Sequence, residues 1–161
     1  MPTPPGRDQY EVWGTFRVAR RARVVSASVE GREPWTFAGA YRPYHDPRAE
    51  HARRIVCEPG VVRVTDTVRG AGGAPLESWV HLHPDFVAEL DGDAVIATAG
   101  ELKIRVEPFG ADGVTLHRGE TAPVQGWHCP RFGRALEATA IRIHVAANGG
   151  HPFGYRITRV S

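Results

Sequence analysis

Cysteine, long apolar runs and a leader sequence are the main absences from this 161-residue chain. Its two cysteines, Cys57 and Cys129, are too few for a disulfide framework, and the alternation around Cys57 predicts a buried free thiol. No apolar run approaches the roughly 20 residues of a membrane-spanning helix. Residues 1–8 lack the basic and then apolar pattern of a signal peptide. We therefore expect a soluble protein, cytoplasmic if the chain is complete and periplasmic if it is a piece of a longer one.

An excess of one charge sign is also missing, since 20 basic residues stand against 18 acidic ones and the formal net charge is +2. This balance argues against a nucleic-acid-binding protein, and no segment indicates a membrane partner. The basic residues nevertheless cluster within residues 17–23 and 48–54. Either cluster could hold an acidic ligand, and either could be the solvated outer face of a strand.

Helical periodicity is the third absence. Apolar residues recur with period two, and glycines and prolines are scattered between the apolar runs as turn residues are. We predict an all-β fold, an antiparallel β-sandwich of about ten short strands. Residues 1–8 form a flexible N-terminal arm and residues 9–161 one domain. The predicted strands cover residues 11–19, 22–30, 35–41, 51–58, 61–69, 77–90 with a break at Pro84, 94–99, 101–109, 114–117, 138–147 and 152–160.

The His-Leu-His run at 81–83 is the strongest metal-ligand pattern. Residues i and i+2 of a strand share a face, so His81 and His83 could hold one Zn²⁺ ion beside Trp79. The metal site of cupin sandwiches also begins with His-x-His, which suggests a small cupin-like metal-binding sandwich as one alternative. If the two histidines are instead neutral and hydrogen-bonded, the protein has no cofactor. The spacing selects no third ligand among the candidates His117, His128 and His144.

A second pattern combines an imidazole with arginines that suit carboxylate or sulfate groups. His51 and Arg53 share one face of a predicted strand, and Arg54 lies on the other face. Asp66 falls on the apolar face of the next predicted strand and is predicted to be buried. A buried carboxylate requires a partner, so we predict an internal ion pair between Asp66 and an arginine.

The third pattern is the run GWHCPRFG at residues 126–133. Its proline and glycines predict a loop rather than a strand. Trp127, His128 and Arg131 in such a loop could stack on a sugar ring and hydrogen-bond to it. The alternative is that Trp127 closes one end of the sandwich.

Several runs, in order along the chain, together resemble the heparinase II/III-like family. Residues 8–18 resemble the segment that follows the family's core histidine motif. Residues 50–54 and 64–66 resemble its "His-Arg-Arg … Asp" strand pair. Residues 79–84 resemble its "Trp-x-Leu/Phe-His-Pro" strand, and residues 126–133 its late "Gly-Trp-Tyr-Ser-Pro-x-Phe-Gly" loop.

This resemblance implies the distal part of a C-terminal β-sandwich that packs against an (α/α) toroid in a polysaccharide lyase. Such enzymes cleave uronate-containing chains by β-elimination, with a Tyr or His base that removes the proton α to the carboxylate. The family's His-Gly-His, Asp-x-Gly and Ala-His-Asn-Thr motifs are absent from this sequence. No catalytic or metal-binding residue of the family therefore carries over to it.

The first hypothesis is a non-catalytic domain that supports a toroid in the same or a separate chain and contacts acidic polysaccharide. The second is a stand-alone carbohydrate-binding module with five exposed aromatic platforms, Trp13, Trp35, Tyr41, Tyr44 and Trp127. A homodimer through an exposed edge of the strand beginning at Glu11 is a further expectation. The residues predicted to bind substrate are His51, Arg53, Arg54, His81, His83, Trp127, His128 and Arg131.

Overall fold

The computed structural model describes residues 21–70, 72–146 and 150–160, and the backbone of two short strands at 11–12 and 18–19. All regular structure in these residues is β-strand, which confirms the predicted fold class. None of them forms a helix with the length and apolar character needed to cross a membrane. The strands are β1 (Glu11–Val12), β2 (Val18–Ala19), β3 (Arg23–Gly31), β4 (Trp35–Arg42), β5 (Glu50–Glu58), β6 (Val61–Arg69), β7 (Leu76–His81), β8 (Val87–Asp91), β9 (Ala94–Ala99), β10 (Leu102–Phe109), β11 (Gly113–Arg118), β12 (Glu120–Thr121), β13 (Val124–Gln125), β14 (Trp127–Arg131), β15 (Arg134–Glu137), β16 (Thr139–Val145) and β17 (Phe153–Val160).

Two antiparallel sheets make up the sandwich. The large sheet has eight strands in the order β3-β4-β5-β6-β17-β10-β9-β8, and the small sheet has three in the order β11-β16-β7. Three two-stranded ribbons, β1-β2, β12-β13 and β14-β15, complete the described strands. The Pro-Gly pair at 59–60 joins β5 to β6 with Gly60 at a φ of +75°, as expected of a hairpin turn.

The core lies between the small sheet and the central strands of the large one. Alternation along β6, β7 and β16 turns every second residue inward, which explains why short strands suffice to build one core. Phe153 from β17 and Ile141 and Ile143 from β16 are completely buried. Further buried core residues are Val64, Val68, Leu76, Val80, Leu82, Val95, Ala97, Val106, Val145 and Tyr155.

One edge of the large sheet, β3, is exposed along its whole length. Val24 and Val29 are each 69% exposed. The sequence predicts an exposed edge at the strand beginning at Glu11, whereas Glu11–Val12 pairs with Val18–Ala19 in a separate ribbon, and β3 is an exposed edge among the described strands. Such an edge presents unpaired backbone groups and apolar side chains to a partner.

Three predicted elements differ from the structure. The predicted strand at 11–19 is two short strands, with residues 13–17 outside the described part. The run 77–90 divides between β7 of the small sheet and β8 of the large one, because the turn at 83–86 carries the chain from one sheet to the other. The prediction of a loop at 126–133 is wrong, because Trp127–Arg131 pairs with Arg134–Glu137 as a strand. A register shift between His128 and Arg131 accommodates Pro130.

Candidate functional site

The outward face of the small sheet carries Trp79, His81 and His117, and the adjoining strand β14 carries Trp127 and His128; we call these five residues the imidazole face. Period-two alternation produces it, since Ser78 and Val80 of β7 are buried and Trp79 and His81 therefore point outward. The register places His81 of β7 and His117 of β11 on either side of Ala140 in β16.

Trp79 lies at the centre of the imidazole face. Its ring is stacked on that of His81, with centroids 6.3 Å apart and an interplanar angle of 14°, and its centroid lies 5.3 Å from that of His117. The Arg142 guanidinium lies 5.7 Å from the Trp79 centroid and is paired with Glu77. These contacts hold the indole in one orientation and leave it half-buried.

Glu120 ties the β14–β15 hairpin to the small sheet. Its backbone carbonyl accepts a 2.8 Å hydrogen bond from Trp127 Nε1, and its carboxylate lies 2.8 Å from His117 Nδ1. Gly126 fixes the same junction: its φ is +71°, and an added Cβ would lie 2.6 Å from Arg118 Cα. Only glycine tolerates this conformation and this close approach.

The hairpin extends the imidazole face toward solvent. The rings of His83 and His128 lie 5.6 Å apart, and the side chain of His83 is 60% exposed. Arg131 is exposed and lies opposite Arg134 near the hairpin tip. Partial burial lowers the pKa of His81, so its imidazole is neutral near neutral pH and can both donate and accept hydrogen bonds.

A second cluster, which we call the buried carboxylate cluster, joins β5 to β6 in the large sheet. Arg53 donates from Nε to Asp66 Oδ1 and from Nη2 to Oδ2, both at 2.8 Å, and His51 Nε2 lies 2.6 Å from Oδ1. Asp66 is completely buried, and His51 is only 4% exposed. Both carboxylate oxygens therefore have charged or polar partners inside the protein.

Electrostatics within this cluster favour the charged pair. Burial disfavours the Asp66 carboxylate, but hydrogen bonds from His51 and Arg53 outweigh burial and hold the pKa of Asp66 below its ordinary value. Burial also lowers the pKa of Arg53, yet its bond to Asp66 outweighs this, so the net pKa is raised. Burial raises the pKa of Tyr41, whose ring centroid lies 5.1 Å from that of His51, to about 12. The cluster braces two strands, although His51 Nδ1 is buried without a hydrogen-bond partner among the described residues.

Stability should therefore depend on pH through Asp66. Because its pKa is depressed in the folded state, its contribution is present above its ordinary pKa of 3.8 and is lost as the pH falls through the folded value. Urea denaturation should show the free energy of unfolding falling as the pH drops below about 5. Asp66→Asn should flatten this slope, whereas an equal slope in the variant and the wild type would contradict the assignment.

The structure separates the predicted site residues into these two places. His51 and Arg53 share a face, Arg54 is exposed on the opposite face, and Asp66 pairs with an arginine, all as the alternation predicts. Substrate binding by His51, Arg53 and Arg54 stays a prediction. His81, Trp127 and His128 belong to the imidazole face, His83 contacts it through His128, and Arg131 lies farther along the same hairpin. Sequence reasoning missed Glu120, for which the short run 120–121 offers no periodic signal.

Two further predictions differ from the structure in the burial of the side chains. The exposed platforms predicted at Trp35, Tyr41, Tyr44 and Trp127 are half-buried, because each packs against neighbouring strands or loops, and Trp13 lies outside the described residues. Cys57 is a free thiol as predicted but only half-buried, and Cys129 is free and exposed.

The absence of a cofactor stays a prediction, and so does the alternative of a Zn²⁺ ion at His81 and His83. Leu82 is buried and β7 ends at His81, so His83 lies beyond the regular strand. Across the described ranges, no group of three or more His, Cys, Asp or Glu side chains has a geometry that could hold a metal ion.

Comparison with protein families gives a match to the family described as "Heparinase II/III-like, C-terminal" over residues 4–155. A search of curated proteins found no match.

Among solved structures, heparan sulfate lyase HepC from Pedobacter heparinus is similar with a TM-score of 0.68 and 17% identity, covering 88% of this chain and 22% of that one. The crystal structure of a heparinase III is similar with a TM-score of 0.63 and 12% identity, covering 87% of this chain and 21% of that one. The heparinase III of the BT4657 gene product is similar with a TM-score of 0.61 and 14% identity, covering 87% and 22%. At these identities the likeness shows the fold, and the chain spans about a fifth of the length of these structures.

Proposed function

Because this chain belongs to the heparinase II/III-like family through that family's C-terminal domain, we propose that it is a non-catalytic sandwich domain that supports a catalytic toroid and contacts acidic, uronate-containing polysaccharide. The imidazole face is the observation that carries this proposal. It comprises three rings on the outward face of the small sheet and two on the adjoining β14–β15 hairpin, whose tip carries the exposed Arg131.

The chemistry of the imidazole face suits a sugar chain. Half-buried indoles offer apolar surface to the C–H face of a pyranose ring, and the neutral imidazole of His81 exchanges hydrogen bonds with its hydroxyl groups. The Arg131 guanidinium, exposed near the hairpin tip, matches the planar carboxylate of a uronate. The contacts of Trp79 and Glu120 hold His81, His117 and Trp127 in place before a ligand arrives, which reduces the entropy lost on binding.

Support for a toroid rests on the exposed edge of the large sheet. An edge strand that is exposed along its whole length does not stabilise an isolated sandwich. A neighbouring domain would cover β3 together with Val24 and Val29. The relatives of known structure are several times longer than this chain, so a further domain on the same surface is consistent with their length. A homodimer through the same edge stays a prediction.

Polysaccharide binding is tested by titrating intrinsic tryptophan fluorescence with heparin, chondroitin sulfate and alginate oligosaccharides. We expect saturable binding to at least one of them. A His81→Ala/Arg131→Ala double variant should bind about tenfold more weakly, because it removes one sugar hydrogen bond and one charge-assisted contact. Both residues are exposed, so the fold should be retained.

Arg159→Ala is the charge control, because it removes one positive charge from an exposed position of the other sheet that is not predicted to bind substrate. Equal affinities for the double variant and Arg159→Ala would contradict binding at the imidazole face. Release of unsaturated uronate by the chain alone, detected by ultraviolet absorbance, would contradict the non-catalytic role.

A further inference from the structure

A cleft of about 260 Å³ opens where the first residues of β3 meet the last residue of β4 and the loop that follows it. We call it the arginine cleft. Its position in the large sheet, against the edge strand, separates it from the imidazole face on the small sheet. It is lined by Arg21, Arg23, Arg42, Pro43, Tyr44 and Pro47.

Positive charge in the arginine cleft is poorly compensated. Arg23 and Arg42 stand directly opposite each other in the β3–β4 register, and like charges at opposed positions destabilise a sheet. Arg42 is paired with Glu50 at 3.2 Å, and its side chain is still 51% exposed. Within the part of the chain that the structure describes, Arg21 and Arg23 have no acidic partner. A bound anion would relieve this repulsion.

The remaining lining residues indicate what kind of anion would fit. Tyr44 and the two prolines present flat, apolar surface beside the guanidinium groups. Guanidinium groups bind sulfate and carboxylate oxygens in pairs of parallel hydrogen bonds, and a flat aromatic or proline surface suits a sugar ring. The combination recognises a charged group together with the ring that carries it.

We propose that the arginine cleft binds an oxyanion, a sulfate ester or a carboxylate, carried on a sugar ring. The assignment of the sugar rests on the proposed function, whereas the anion site rests on the arginines alone. The cleft and the imidazole face would then hold two separate parts of an acidic chain, and each would add to the affinity of the other. Binding should weaken as salt rises, because the arginines are exposed.

The anion site is tested without any polysaccharide by titrating the protein with sodium sulfate and, separately, sodium acetate. Arginine Nε–Hε resonances are followed by NMR. We expect saturable changes at Arg21, Arg23 and Arg42 that exceed those at Arg159, an exposed arginine on β17 that does not line the cleft. Changes of equal size at Arg159 would overturn the proposal.

The sugar-borne ligand is tested with heparin oligosaccharides, which carry sulfate and carboxylate, and alginate oligosaccharides, which carry carboxylate alone. Arg23→Gln should lower the affinity about tenfold, since it removes one charge-assisted contact. Glu50→Gln should raise it about two- to fivefold, because Arg42 is released from its exposed ion pair. The ligand whose affinity changes identifies the anion.

The controls separate a local site from general charge. Arg159→Gln and Glu101→Gln change the net charge by the same amounts at exposed positions outside the cleft. Affinities for Arg23→Gln and Glu50→Gln that equal those of their controls would overturn the cleft. If the wild type binds no oligosaccharide, the proposed function fails, and the sulfate titration alone then decides the anion site.

Discussion

Replacing Asp66 with alanine is expected to lower the free energy of unfolding by about 3–5 kcal/mol. The loss arises because the Arg53 guanidinium, which now makes two 2.8 Å bonds to the carboxylate, would be left without a counter-charge next to the core. His51, which is 4% exposed, would lose its partner at the same time. Urea denaturation at neutral pH measures the change.

Two variants show whether burial and the unpaired charge cause this loss. Asp91→Ala removes a carboxylate that pairs with Arg105 while 57% exposed, so it should lower stability by less than about 1 kcal/mol. The double variant Arg53→Met/Asp66→Leu removes both charges and should be more stable than Asp66→Ala alone. An Asp66→Ala protein as stable as Asp91→Ala would contradict the structural role of the buried carboxylate cluster.

Replacing Phe153 with alanine is expected to lower the free energy of unfolding by about 3–5 kcal/mol. Phe153 is completely buried and belongs to the core between the two sheets, where a truncated ring leaves a cavity that its neighbours cannot fill. Thermal or urea denaturation measures the loss.

Phe132→Ala is the matched control, because Phe132 lies at the tip of the β14–β15 hairpin with its side chain fully exposed. That variant should stay within about 0.5 kcal/mol of the wild type. Phe153 stands opposite Asp66 in the register of β17 and β6. The effects of Phe153→Ala and Asp66→Ala should therefore not be additive, since contacting residues share the same surroundings.

The buried carboxylate cluster could be predicted from sequence because its causes are local. The Pro-Gly turn at 59–60 makes β5 and β6 antiparallel neighbours, and period-two alternation turns Asp66 inward with the valines of β6. Alternation also places Arg53 and Arg54 on opposite faces, so only one of them can meet Asp66, and in the structure it is Arg53. A buried carboxylate beside a single inward-facing arginine is expected to pair with that arginine.

The imidazole face could be predicted only in part. Alternation correctly places Trp79 and His81 on one outward face. The role of Glu120 and the pairing of Trp127 with Glu137 depend on contacts that no periodicity signals. The proline and glycines of residues 126–133 predict a loop, yet a register shift in the hairpin accommodates the proline, and Gly126 supplies the conformation at its base.

The sequence by itself determined the all-β class, most strand positions, the buried ion pair and the resemblance to the heparinase II/III-like family. These follow from periodicity, turn residues and motifs that act over a few neighbouring positions. Only the tertiary structure decided that β7 and β11 flank β16 and so bring His81 and His117 together, and that Arg21, Arg23 and Arg42 line one cleft. Such groupings depend on which strands become neighbours, and that choice is made by burial of the whole core rather than by any local pattern.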